Sequence, residues 1–127
     1  MAKALITGIT GQDGVFLSKF LLDKGYEVYG IARMNSQSTF GSMYEILGDR
    51  MAQVRIYRGN VTDPSFIMPL IAGNEFDEIY HLAAQSSVGY SFSNPKYTFD
   101  VNVSGTMNML EAVRLYSPDS RIYFAAE

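Results

Sequence analysis

Seven residues near the start constrain this chain most: Gly8-Ile9-Thr10-Gly11-Gln12-Asp13-Gly14. They lie between an apolar run, Lys3 to Thr7, and a segment, Val15 to Lys24, in which Phe16, Leu17, Phe20 and Leu21 recur at helical spacing. Glycine spacing alone is a weak signal. Between a strand and a helix it reads as the turn of a βαβ unit. Residues without a Cβ let the backbone approach a pyrophosphate, and let the helix approach the strand. The N–H groups of the first helical turn then face the phosphate charge. The competing reading is a tight strand-to-helix turn that holds no ligand.

The rest of the chain repeats the alternation. Gly25 stops the first helix after Lys24, and Glu27 to Ala32 reads as the second strand. Arg33 to Thr39 is a polar loop, and Met43 to Leu47 opens a short helix. Val54 to Tyr57 forms a third strand that ends at Arg58-Gly59-Asn60. Asp63 and Pro64 read as the cap and first residue of a helix whose apolar face is Phe66, Ile67, Leu70 and Ile71. Asp77 to Leu82 is the fourth strand, and Arg121 to Ala125 the fifth. A long helix is expected from about Pro95 to Tyr116, with Leu110 and Val113 near its end. Gly105 inside it costs about 1 kcal/mol against alanine, which points to close packing on the sheet or on a neighbouring chain. The expected fold is α/β: a Rossmann-type doubly wound parallel sheet in the order 3-2-1-4-5, incomplete in its C-terminal part. Residues 1–127 make one domain, expected to be the N-terminal portion of a longer enzyme whose substrate domain is absent.

Composition narrows the function classes. Ten basic and 13 acidic side chains give a net charge of −3, which offers no electrostatic case for nucleic acid. With no cysteine and a single histidine, His81, thiolate and multi-histidine metal sites are excluded. No apolar run reaches the length of a membrane span, so no membrane partner is expected and the cytoplasm is the default location.

Candidate ligand contacts gather at the ends of the strands. Asp13, a carboxylate at a helix start, suits the dipole but would repel a phosphate, so a capping or loop-bracing role is expected. The Gln12 amide reaches either a phosphate or ribose, or only solvent. Arg33 stands where a carboxylate would bind the ribose 2′-hydroxyl of NAD. A guanidinium there suits the 2′-phosphate of NADP. After the third strand, Asn60 is placed to bond the adenine edge and Val61 to pack on its face. After the fourth, Leu82-Ala83-Ala84-Gln85-Ser86 brings small residues and hydroxyls beside the nicotinamide ribose, while Ser87 is as well explained by loop capping. His81, inside that strand, reads as a packed structural residue. Tyr97 faces either the cofactor or the core, and Asn102 ties the long helix to a loop.

Together, Ala4 through Gly14, Lys24-Gly-Tyr-Glu-Val28, Gly30 through Arg33, His81 through Ser86, Ser91-Phe92, Pro95, Gly105-Thr106 and Leu110-Glu111-Ala112 resemble the extended short-chain dehydrogenase/reductase family of nucleotide-sugar enzymes. Within it they are similar to the branch that dehydrates GDP-mannose. The resemblance covers essentially the whole chain. It implies bound NADP, GDP-mannose as substrate, and a homo-oligomer at full length. The implied reaction moves hydride from C4 to C6 of the sugar with loss of water, giving a 4-keto-6-deoxy product. It implies cofactor contacts from Gly8, Gly11, Gln12, Asp13, Gly14, Arg33, Asn60, Val61, Leu82, Ala83, Ala84, Gln85, Ser86 and Tyr97. Glu127 stands for the family's catalytic glutamate, or is an unrelated terminal residue. Several positions depart from the family. Met34 follows Arg33 where a second arginine is usual, and Asn60-Val61 replaces aspartate and leucine. Ser87 replaces a histidine, and the Ser/Thr segment before the glutamate is missing. The Tyr-x-x-x-Lys pair would lie past Glu127, so the 127 residues alone are expected to be catalytically inactive. Alternatives are a nucleotide-sugar 4-epimerase, a dehydratase of another sugar nucleotide, a non-catalytic NADP-binding protein, and a domain that binds no dinucleotide.

Overall fold

The computed structural model describes residues 1–33, 40–83 and 103–125. Five parallel strands form one sheet: β1 (Lys3–Thr7), β2 (Glu27–Ala32), β3 (Val54–Arg58), β4 (Glu78–His81) and β5 (Arg121–Phe124). Their order is β3-β2-β1-β4-β5, the expected one. The order reverses at β1, which places a crevice at its carboxyl end between the loops leaving β1 and β4.

Helices cover both faces. α1 (Gln12–Asp23) and α2 (Phe40–Leu47) pack on one, where Val15, Leu21, Met43 and Leu47 meet Ala4, Ile6, Val28 and Val54. α3 (Pro64–Ala72) and α4 (Gly105–Tyr116) pack on the other, where Ile67, Ile71, Met109 and Ala112 meet Leu5, Tyr29, Ile31 and Ile79. Alternate residues of each strand thus enter different cores, which is why the strands read as continuous apolar runs. β5, at the sheet edge, is largely exposed.

Local signals account for the element ends. Gly25 (φ +86°) and Gly48 (φ +56°) leave α1 and α2 in the left-handed region. Asp63 caps α3 as expected: its carboxylate accepts from Ser65 N at 3.0 Å, with Pro64 next in line. No helix among the described residues is long and apolar enough to cross a membrane.

The buried face of α1 differs from the expected one. Val15, Ser18 and Leu21 are buried, whereas Phe16 and Phe20 are 53% and 46% exposed. Gly14 is the reason. It presses against the turn below it, so the residues one, four and seven places later turn inward with it. The Ser18 hydroxyl, buried in that contact, donates to Gly14 O at 2.7 Å. For the long helix, the described part begins at Gly105 after a short π-type turn, and its start near Pro95 lies outside the described residues. Gly105 is buried as expected, but by a different neighbour. A Cβ there would stand 2.7 Å from Val61 Cγ2 and 3.9 Å from His81 Cε1. The close approach is therefore chiefly to the loop after β3.

Candidate cofactor site

Each glycine of the first turn serves a different need. Gly8 leaves β1 at φ +66°, and a Cβ on it would come within 3.1 Å of the Leu82–Ala83 backbone. Gly11 closes the turn, donating its N–H to Gly8 O at 3.1 Å, and is the N-cap of α1. Its backbone is ordinary (φ −71°, ψ 167°), and a Cβ would meet only Gly8 O at 3.4 Å. Nothing among the described residues demands glycine at position 11, whereas a ligand lying on the turn would. Gly14 is different again. A Cβ there would stand 2.6 Å from Gly8 O and 2.7 Å from Ile9 O, so glycine seats the helix on the turn.

This seating leaves the first N–H groups of α1 at the crevice mouth without a side-chain cap. A helix start of this kind is an anion site. Gln12 opens the helix and is exposed. Asp13 is exposed in the first turn too, but the expected bracing is not found: it makes no side-chain hydrogen bond among the described residues. The cap position belongs to Gly11, not to Asp13.

The ends of β2 and β3 lie side by side. Ala32 pairs with Arg58, and Gly59 N donates to Ala32 O at 3.0 Å. Arg33 and Asn60 therefore leave the sheet next to one another, both exposed. Asn60 Oδ1 accepts from Thr62 N at 3.0 Å and Thr62 Oγ1 at 2.8 Å. The oxygen is committed to the turn, which leaves the Asn60 amide nitrogen for an outside acceptor. Val61 departs from the expected placement. It is 4% exposed, buried in the core, and its carbonyl accepts from Asn108 Nδ2 at 2.9 Å. The residue sits beneath the Asn60 turn because Gly105 leaves room for it.

The crevice is joined by two residues that sequence did not assign to the site. Thr7 Oγ1, fully buried, accepts from Leu82 N and Ala83 N, both at 3.0 Å, and lies 2.9 Å from His81 Nδ1. A threonine that ends a strand just before the turn glycine is the signal that could have found it. His81 is 6% exposed and packs edge-on to Phe124, the packed role expected of it. Burial lowers its pKa from 6.5 to about 4. Leu82 and Ala83, half-buried, carry the chain out of β4 toward the crevice. Ala84, Gln85, Ser86, Ser87, Tyr97, Asn102 and Glu127 lie outside the described residues. No cluster of three or more His, Cys, Asp or Glu suited to a metal exists among the described residues.

Comparison with known proteins agrees with this geometry. Residues 5–126 match the family model for GDP-mannose 4,6 dehydratase. The chain is 44% identical to the GDP-mannose 4,6-dehydratase of Yersinia enterocolitica, covering 98% of this chain and 34% of that protein. It is 42% identical to GDP-mannose 4,6 dehydratase 1 of Arabidopsis thaliana, covering 92% and 34%. The chain thus spans about a third of the length of these relatives. Among solved structures, UDP-glucose 4-epimerase from Bifidobacterium longum, in complex with NAD+ and UDP, superposes with a TM-score of 0.83 at 26% identity, covering 99% of this chain and 37% of that one. With the Rossmann sheet, the glycine turn and these matches in place, the chain belongs to the GDP-mannose 4,6-dehydratase family.

Proposed function

We propose that this chain is the cofactor-holding part of a cytoplasmic lyase that converts GDP-mannose to its 4-keto-6-deoxy product, and that its cofactor is NADP. The observation that carries the reading is Gly11. The described residues leave room for a side chain at this position, and a ligand on the turn explains its absence. The cradle fits a pyrophosphate, with a glycine surface and uncapped helix amides at one place. When bound, NADP supplies the acceptor and donor of hydride for a redox-neutral loss of water.

In this reading Gly8, Gly11 and Gly14 let the backbone reach the pyrophosphate. Gln12 donates from its amide, and Asp13, exposed in the first turn, faces solvent or ribose. Arg33 takes the 2′-phosphate, favouring NADP over NAD. Asn60 offers its amide nitrogen to adenine, while Val61 supports that turn from below. Leu82 and Ala83 continue toward the nicotinamide end. Ala84, Gln85, Ser86 and Tyr97 as further lining, and Glu127 as the carboxylate that removes a proton, rest on the family resemblance.

Calorimetry with NADP and NAD tests the cofactor. The reading expects saturable binding of NADP, tighter than NAD, and absence of both would overturn it. Product analysis of the full-length protein with GDP-mannose and NADP+ tests the reaction. A second reading, a nucleotide-sugar 4-epimerase, draws on the superposition with the Bifidobacterium enzyme. A product epimerised at C4, with water retained, would favour it.

A further inference from the structure

We infer that His81 is a positioning residue of the cofactor site: it orients the Thr7 hydroxyl, and through it holds the Leu82–Ala83 loop against the glycine turn. This rests on the proposed NADP site. The argument is a count of donors and acceptors. A threonine oxygen has two lone pairs and one hydrogen. The Leu82 and Ala83 amides are obligatory donors, and both point at Thr7 Oγ1 at 3.0 Å. They occupy the two lone pairs, Leu82 N reaching Thr7 O as well but at the longer distance of 3.3 Å. The Thr7 O–H must then donate elsewhere, and His81 Nδ1 at 2.9 Å receives it. His81 is therefore neutral, with its proton on Nε2 and Nδ1 as an acceptor.

The consequence concerns the crevice. Gly8 follows Thr7 directly, and the Leu82–Ala83 backbone lies 3.1 Å from where a Gly8 Cβ would stand. In the proposed site, the two loops that face the dinucleotide are thus joined at Thr7, by its hydroxyl at 3.0 Å and, more weakly, by its backbone oxygen at 3.3 Å. Without an acceptor at position 81, the Thr7 O–H has no other hydrogen-bond outlet among the described residues. It must rotate and compete with one of the amides, and the loop after β4 loosens. The Gly105 backbone borders His81 on the helical side, a Cβ there being in ordinary contact at 3.9 Å with His81 Cε1.

Asparagine and leucine at position 81 separate this role from packing. Asn Oδ1 stands near the place of Nδ1 and accepts, whereas Leu fills space and does not. NADP affinity is measured by calorimetry, and exchange of the Leu82 and Ala83 amides by NMR. His81→Leu is expected to weaken NADP roughly tenfold and to speed exchange of both amides. His81→Asn is expected to stay within about twofold of the parent in affinity. In the unsubstituted protein, nitrogen shifts of His81 are expected to report the Nε2–H tautomer, a readout independent of any variant's folding. A proton on Nδ1, leucine equal to the parent, or asparagine as weak as leucine would each overturn the inference. Failure of the unsubstituted protein to bind NADP would instead sink the proposed cofactor, while the tautomer and exchange would still decide the role of His81.

Discussion

Gly11→Ala and Gly14→Ala form a matched pair, because the same added methyl meets the proposed ligand's place in one and the protein itself in the other. At Gly14 the new Cβ stands 2.6 Å from Gly8 O, about 0.8 Å short of ordinary contact at 3.4 Å. The obstructing atoms are backbone, so no side chain can swing aside and α1 must lift from the turn. Overpacking of this kind costs about 3 kcal/mol. Alanine returns about 1 kcal/mol in helix propensity. The net loss of about 2 kcal/mol corresponds to a fall in Tm of roughly 8 °C for a chain of this size. At Gly11 the methyl meets Gly8 O at 3.4 Å, an ordinary contact, on an ordinary backbone. Alanine is a poorer N-cap than glycine by about 0.5 kcal/mol. It recovers about the same through a less flexible unfolded chain, so Tm should move by less than about 2 °C. The methyl would nevertheless occupy the approach to the pyrophosphate. Thermal melts and NADP calorimetry on both variants are the assay. Gly11→Ala is expected to keep the fold and lose NADP binding by roughly a hundredfold. A Gly11→Ala protein that binds NADP normally would refute the idea that a ligand dictates this glycine. An unchanged Tm for Gly14→Ala would refute the packing argument.

Further consequences follow from other sites. Arg33→Ala should weaken NADP by roughly tenfold to a hundredfold and alter NAD by less than about twofold; an equal loss for both cofactors would contradict the phosphate contact. A Cβ at Gly30 would stand 2.2 Å from Ile9 Cδ1. Gly30→Ala should therefore cost about 2 kcal/mol, and Ile9→Val should restore part of it in a double-mutant cycle; strict additivity would show that Ile9 is not the obstacle. Asp63→Ala removes the cap of α3 and should cost about 1 kcal/mol in denaturant melts. His81 carries a pH signature. Its folded pKa of about 4 lies below the ordinary 6.5, so the unfolded chain binds more protons between these values. Stability is then fully present above pH 6.5 and falls as the pH drops toward 4, by about 3 kcal/mol in all. His81→Asn should flatten that part of the stability–pH curve, and an unchanged slope would assign it to other groups.

Strand positions and sheet order were legible along the chain because each depends on short-range signals. β1 and β2 are apolar runs bounded by glycine, and Asp63-Pro64 carries its cap chemistry in two adjacent residues. The turn of three glycines likewise announced its place between strand and helix. Its internal division of labour was not legible. Gly11 and Gly14 read alike in the sequence, and only the distances from a Gly14 Cβ to the Gly8 and Ile9 carbonyls mark it as the packing glycine, leaving Gly11 for the proposed ligand. The same contact turned α1 about its axis and left Phe16 and Phe20 outside, against the hydrophobic pattern. Val61 passed for a ligand contact because its burial depends on Gly105, 44 positions later. Thr7 and His81 are 74 positions apart, and no local pattern links them. The sequence by itself determined which elements form and where a dinucleotide cradle would sit, since propensity, periodicity and glycine placement act over a few residues. Tertiary structure alone decided which glycine packs against the turn and which hydrogen bonds join the loops, since both depend on distances between segments that only packing brings together.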